Sequence, residues 1–143
     1  MLRRSATISA ATLLCLAGAA GTAEAGSTSL YAPSAVVLSV GKGTDSGAFT
    51  VLRAATLSCM PGPSGTHPAP EAACAELKAG FAGGGFEGLL ASPNPDRACP
   101  QHFDPVTVTL DGVWEGTRTS WQYTFSNACV MGVTLNGGEA FAF

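Results

Sequence analysis

Val106-Thr107-Val108-Thr109-Leu110-Asp111-Gly112-Val113-Trp114-Glu115-Gly116-Thr117-Arg118-Thr119-Ser120-Trp121-Gln122-Tyr123-Thr124-Phe125 is the stretch on which the fold turns. Over Val106–Leu110 the apolar residues alternate with Thr107 and Thr109. Over Ser120–Phe125, Trp121, Tyr123 and Phe125 alternate with polar neighbours. A period of two puts successive side chains on opposite faces, the signature of a strand, and β-branched and aromatic residues suit a pleated, half-buried surface. Two such runs joined through Glu115-Gly116 predict an antiparallel hairpin.

Working outward, Ala35–Val40 is a β-branched apolar run that stops at Gly41-Lys42-Gly43, and Ala48–Cys59 is a second, less regular strand pattern. Met60–Pro70 carries Pro61, Pro63, Pro68 and Pro70 with two glycines, which predicts an irregular crossing loop. In Glu71–Phe81 the spacing of Ala73, Leu77 and Phe81 gives the stripe of a short amphipathic helix, with Pro70 at its start and Gly83-Gly84-Gly85 at its end. Phe86–Ala91 forms a second short helical turn before a loop beginning at Ser92, and Ala140–Phe143 adds a last strand. The sum is an α+β domain: an antiparallel sheet of about five strands with two short helices on one face.

The N-terminus sets the compartment. Arg3 and Arg4, the apolar run Ile8–Ala20 and the small-x-small site Ala23-Glu24-Ala25 read as a secretory signal peptide over residues 1–25. Residues 26–143 then form a single secreted, extracellular domain. The apolar run is too short for a membrane span, so no membrane partner is expected. Cys15 is lost with the signal; Leu14 before it does not suit a lipid-attachment site. The four cysteines left, Cys59, Cys74, Cys99 and Cys129, read as two disulfides in an oxidising compartment. Three pairings are open, and the sequential one, Cys59 with Cys74 and Cys99 with Cys129, closes the shorter loops. Without a Cys-x-x-Cys pair, a metal site is not expected. Cleavage leaves five basic and nine acidic residues, the basic ones scattered singly, which argues against nucleic acid as a partner.

Between the helical region and the hairpin lies Cys99-Pro100-Gln101-His102-Phe103-Asp104-Pro105. Each proline fixes its own φ and biases the preceding residue toward extended backbone, so Gln101 and His102 sit between stiffened ends. Restraint of this kind lowers the entropy lost on binding and points to recognition; an ordinary structural turn is the plainer alternative. An enzyme is not expected. His67 and His102 are the only histidines, His67 suits a structural hydrogen bond in its proline-rich loop, and no triad is assembled in sequence. Trp114, Trp121, Tyr123 and Phe125 read as packing residues.

Leu30-Tyr31-Ala32-Pro33-Ser34, Val40-Gly41-Lys42-Gly43, Cys59 followed by Pro61-Gly62-Pro63-Ser64-Gly65-Thr66-His67-Pro68, Cys99-Pro100, Asp111-Gly112-Val113-Trp114, Phe125-Ser126-Asn127 and Phe141-Ala142-Phe143 closely resemble the Streptomyces subtilisin inhibitor family over nearly the whole mature chain. The resemblance implies sequential disulfides, a homodimer, no cofactor and a substrate-like loop that inhibits an extracellular, subtilisin-like serine protease. It also implies a register: Ala98 at P4, Cys99 at P3, Pro100 at P2, Gln101 at P1 and His102 at P1′, with Phe103 following and Gln101-His102 as the scissile bond. The family commonly carries Met, Leu or Lys at P1, and this chain departs from that with Gln101. A second reading keeps the scaffold and directs the loop at another secreted enzyme, either a different protease or a transglutaminase acting on Gln101.

Overall fold

The computed structural model describes residues 31–44, 48–90 and 96–143. The expected signal peptide at 1–25, the start of the mature chain, and the Ala91 end of the second helical turn lie outside these residues.

The hairpin forms as expected and runs further than the alternating segments alone. Strand β4, Val106–Trp114, pairs with β5, Thr117–Phe125, in the register Val106↔Phe125 to Trp114↔Thr117. Its turn is Glu115-Gly116, with φ of 48° and 80°. Positive φ at both central residues matches the right-handed twist of the flanking strands, and glycine adopts it at no steric cost.

Three more strands complete the sheet. β1 is Ser34–Lys42, β2 is Thr50–Met60 and β3 is the two-residue Ser64–Gly65, in the order β3-β2-β1-β4-β5 and antiparallel throughout. β3 lies inside the stretch expected to be wholly irregular; only two residues pair, opposite Leu57 and Ser58, so no periodicity could announce it.

One face of the sheet carries the core. Val36, Leu38 and Val40 of β1, Leu57 of β2, and Val106, Val108 and Leu110 of β4 are buried against the helical layer. Helix α1, Pro70–Ala82, presents Ala73, Cys74, Leu77 and Gly80 to it, with Pro at its first turn, where the missing N–H costs nothing. Phe81 is half-buried, its ring between those of Phe86 and Trp114 at 5.3 and 5.9 Å. A 3₁₀ turn follows at Phe86–Leu89. It rests directly on α1, for a Cβ on Gly88 would lie 2.2 Å from the Gly80 carbonyl oxygen. Trp121, Tyr123 and Phe125 line the same face of β5, and Trp121 Nε1 donates to Glu87 Oε1 at 2.9 Å.

The C-terminal region corrects the sequence reading. Ala128–Thr134 is a second helix, α2, packed on the core through Val130 and Met131. Ala140–Phe143 is not a strand but a turn segment under the helices. Its backbone is claimed by side chains instead of a ladder: Glu76 of α1 accepts from the Glu139 and Ala140 N–H groups, and His67 Nε2 meets the Ala140 carbonyl at 3.3 Å. With Phe141 buried and Phe143 edge-on to the His67 ring at 5.4 Å, the segment serves as core filling.

Candidate functional site

From Asp96 to Pro105 the described chain reaches β4 without regular secondary structure. Ala98, Pro100, Gln101, His102, Phe103 and Asp104 are exposed, Cys99 is half-buried, and the first residue of β4, Val106, is buried. The described residues thus place Ala98 to Phe103 on one largely exposed segment.

A disulfide, a buried side-chain amide, two main-chain hydrogen bonds and an ion pair hold the loop as far as Pro105. The disulfides are Cys59–Cys74 and Cys99–Cys129; the second ties the start of the loop to α2. Asn127, only 2% exposed, lies beneath it. Its Nδ2 donates to the Pro100 carbonyl at 2.9 Å and the His102 carbonyl at 3.1 Å, bracketing Gln101 on both sides. Its Oδ1 meanwhile accepts from the Val130 N–H at 3.0 Å as the N-cap of α2. One side-chain amide therefore uses both ends, tying the loop to a helix terminus.

Beyond Gln101 the backbone is held again. The Asp104 N–H donates to the Ser126 carbonyl at 2.9 Å, and the Gly43 N–H to the Pro105 carbonyl at 3.1 Å. Lys42, at the end of β1, donates to the Asp104 carboxylate in an ion pair. That hydrogen bond, with the fields of Lys42 and His102, holds the Asp104 carboxyl below its ordinary pKa of 3.8. Thr107 Oγ1 donates to the Gly43 carbonyl at 2.7 Å, and Thr124 Oγ1 to that of Thr44 at 2.9 Å, anchoring the β1–β2 connection beside the loop.

Sequence reasoning found the loop but missed Asn127 and Lys42 as its supports. Nothing local to Ser126-Asn127-Ala128 shows that the Asn127 side chain reaches 25 residues back. His67 lies away from the loop, buried, with Nδ1 accepting from the Ala69 N–H at 3.1 Å. Among the described residues no three His, Cys, Asp or Glu side chains gather to hold a metal ion, and no helix is long and apolar enough to cross a membrane.

A small sheet-and-helix domain, stapled twice, that holds a polar loop in water by a buried amide defines a class of loop-presenting scaffolds. The chain belongs to the subtilisin inhibitor-like family, whose model matches residues 32–127. It is 87% identical over 113 residues to subtilisin inhibitor-like protein 15 of Streptomyces bikiniensis, covering 79% of this chain and all of that protein. It is 49% identical over 136 residues to trypsin inhibitor STI2 of Streptomyces longisporus, covering 93% and 90% of the two chains. Among solved structures it matches Streptomyces caespitosus sermetstatin in complex with Bacillus licheniformis subtilisin, with a TM-score of 0.72 and 52% identity, covering 78% of this chain and 99% of that one.

Proposed function

We propose that this chain is a secreted, substrate-like inhibitor of subtilisin-like serine proteases, and that Gln101-His102 is the bond it offers to the enzyme's serine. The observation that carries the reading is the Asn127 amide bonded to the carbonyls on either side of Gln101. A solved relative of this family is bound to subtilisin.

The mechanism follows from the tethers. The loop lies along the enzyme cleft by main-chain hydrogen bonds, with Gln101 in the primary pocket. Attack by the serine opens the Gln101-His102 bond, leaving an acyl group on Gln101 and a new amine on His102. Two anchors lie on opposite sides of that bond: the Cys99–Cys129 bridge before it, and after it the Asp104–Ser126 bond leading into β4. Asn127 grips both sides at once. The amine therefore stays beside the acyl group at high effective concentration, and resealing outruns hydrolysis. Because the loop is held in place before docking, little ordering entropy is lost on association.

Gln101 brings no charge for an acidic trypsin-like pocket, whereas its aliphatic stem fits a broad apolar one at a cost of about 1 to 3 kcal/mol against a good apolar side chain. Inhibition constants against subtilisin, trypsin, chymotrypsin and a metalloprotease, with mapping of the slowly cleaved bond, test this. Gln101→Met is expected to tighten subtilisin binding and Gln101→Lys to add trypsin inhibition. Unchanged constants in both variants, or cleavage at another bond, would refute the assignment of Gln101.

The same reading takes residues 1–25 as the signal peptide, 26–143 as the mature domain, and a homodimer as the mature form. The helices all pack on one face of the sheet, leaving β1 and β2 to offer Val37 and Val51, 45% and 50% exposed, on their exposed surfaces. A second copy laid on the sheet there would cover Val37. Sedimentation at the mass of a single chain across micromolar concentrations would count against the dimer.

A further inference from the structure

All seven phenylalanines of the chain lie in described residues, and six are wholly or partly withdrawn from water. Phe86, Phe125 and Phe141 are buried, and Phe49, Phe81 and Phe143 are half-buried. Phe81, Phe86, Phe125, Phe141 and Phe143 each meet another ring. Phe103 is the exception: it is 72% exposed, the most exposed large hydrophobic side chain among the described residues, with no ring against it.

Its backbone is nevertheless among the best held in the loop. On one side the His102 carbonyl accepts from Asn127 at 3.1 Å; on the other the Asp104 N–H donates to Ser126 at 2.9 Å while its carboxylate is paired with Lys42. A large apolar side chain on a mobile loop would fold back onto the protein. Here both flanking peptide groups are committed, so the ring is offered to solvent from a backbone that needs little further ordering.

We propose that Phe103, not Gln101, is the principal side-chain anchor on the target enzyme, and that the target carries an apolar pocket two residues beyond the scissile bond. The inference rests on the reading of Gln101-His102 as that bond. The chemistry favours it: Gln101 brings an amide whose donors and acceptor must all be re-paired on leaving water, whereas Phe103 brings apolar area that gains by leaving it. Aromatic side chains, phenylalanine among them, are enriched in protein interfaces. The affinity is thus placed on the leaving-group side, and the primary pocket is filled adequately, not optimally.

The test compares the mature wild-type protein with Phe103→Ala, Phe103→Leu and Gln101→Ala against subtilisin, with cleavage mapping and thermal melting alongside. Phe103→Ala is expected to weaken inhibition by about 10- to 100-fold, Phe103→Leu to recover part of it, and Gln101→Ala to cost less than about 10-fold. Melting midpoints stay at the wild-type value, because the ring supports nothing in the fold. A Phe103→Ala protein within about threefold of wild type, or one that loses less than Gln101→Ala, overturns the anchor. If the wild-type protein fails to inhibit, or is cleaved elsewhere, the parent reading falls and takes this one with it. Inhibition with cleavage at Gln101-His102 but indifference to Phe103 refutes the anchor alone.

Discussion

Replacing Asn127 separates a loop that is merely present from one that is held. The side chain makes three hydrogen bonds: two donated to the Pro100 and His102 carbonyls and one accepted from Val130. Asn127→Ala removes all three. Pro100 and His102 are exposed, so their carbonyls can rehydrate and each lost bond costs its net value of about 1 kcal/mol, not a full desolvation penalty. The lost cap adds about 1 kcal/mol, for about 3 kcal/mol of folding stability. Asn127→Asp is the sharper probe: a carboxylate keeps the acceptor for Val130 but has nothing to donate, and sets its charge against two carbonyl oxygens. Its effect should concentrate on the loop, with inhibition weakened by about 30-fold or more, corresponding to the two lost bonds. The assay pairs inhibition constants with chromatographic separation of intact and cleaved inhibitor after long incubation with a trace of protease. The cleaved fraction should rise in both variants, because the new amine is no longer held from below. An Asn127→Asp protein with wild-type inhibition and a wild-type ratio of intact to cleaved forms would refute the reasoning.

Two other perturbations probe the remaining tethers. Converting Cys99 and Cys129 to alanine opens a bridge spanning 30 residues, which should cost about 3 to 4 kcal/mol in urea unfolding and turn the inhibitor into a readily hydrolysed substrate; a double variant that resists cleavage like the parent would contradict this. The Lys42–Asp104 pair lowers the folded pKa of Asp104 below its unfolded value, so its contribution is complete above about pH 4 and is lost as pH falls through the lowered folded value. Asp104→Asn should flatten the acid side of the stability profile followed by thermal melting, and parallel profiles for variant and parent would show the pair to be inert.

What the sequence made legible was whatever depends on neighbours a few residues apart. The alternation in β4 and β5, the Glu115-Gly116 turn, the proline start and glycine end of α1, and the stiffened loop are all local patterns with local physical causes. The misses have the opposite character. Ala140–Phe143 looks like a strand because Phe141 and Phe143 alternate with Ala142, yet the helices fill that side of the sheet and Glu76 and His67 take its backbone groups. α2 is seven residues long and includes a glycine and three β-branched residues, so propensity argues weakly for it; the Cys129 bridge, the Asn127 cap and burial of Leu135 at its end supply what the segment lacks. In the site, the exposed residues were readable and their supports were not, since Lys42 lies 62 positions from Asp104 and Asn127 lies 27 from Pro100.

The order of the chain gives the Asn127 brace a temporal meaning. During synthesis the loop emerges well before either Asn127 or Cys129, so a nascent or truncated chain that stops short of them carries the loop's sequence without its shape. To a protease such a fragment is ordinary polypeptide. The ability to resist cleavage at this loop is thus a property of the finished domain, acquired only when its last quarter has come into place.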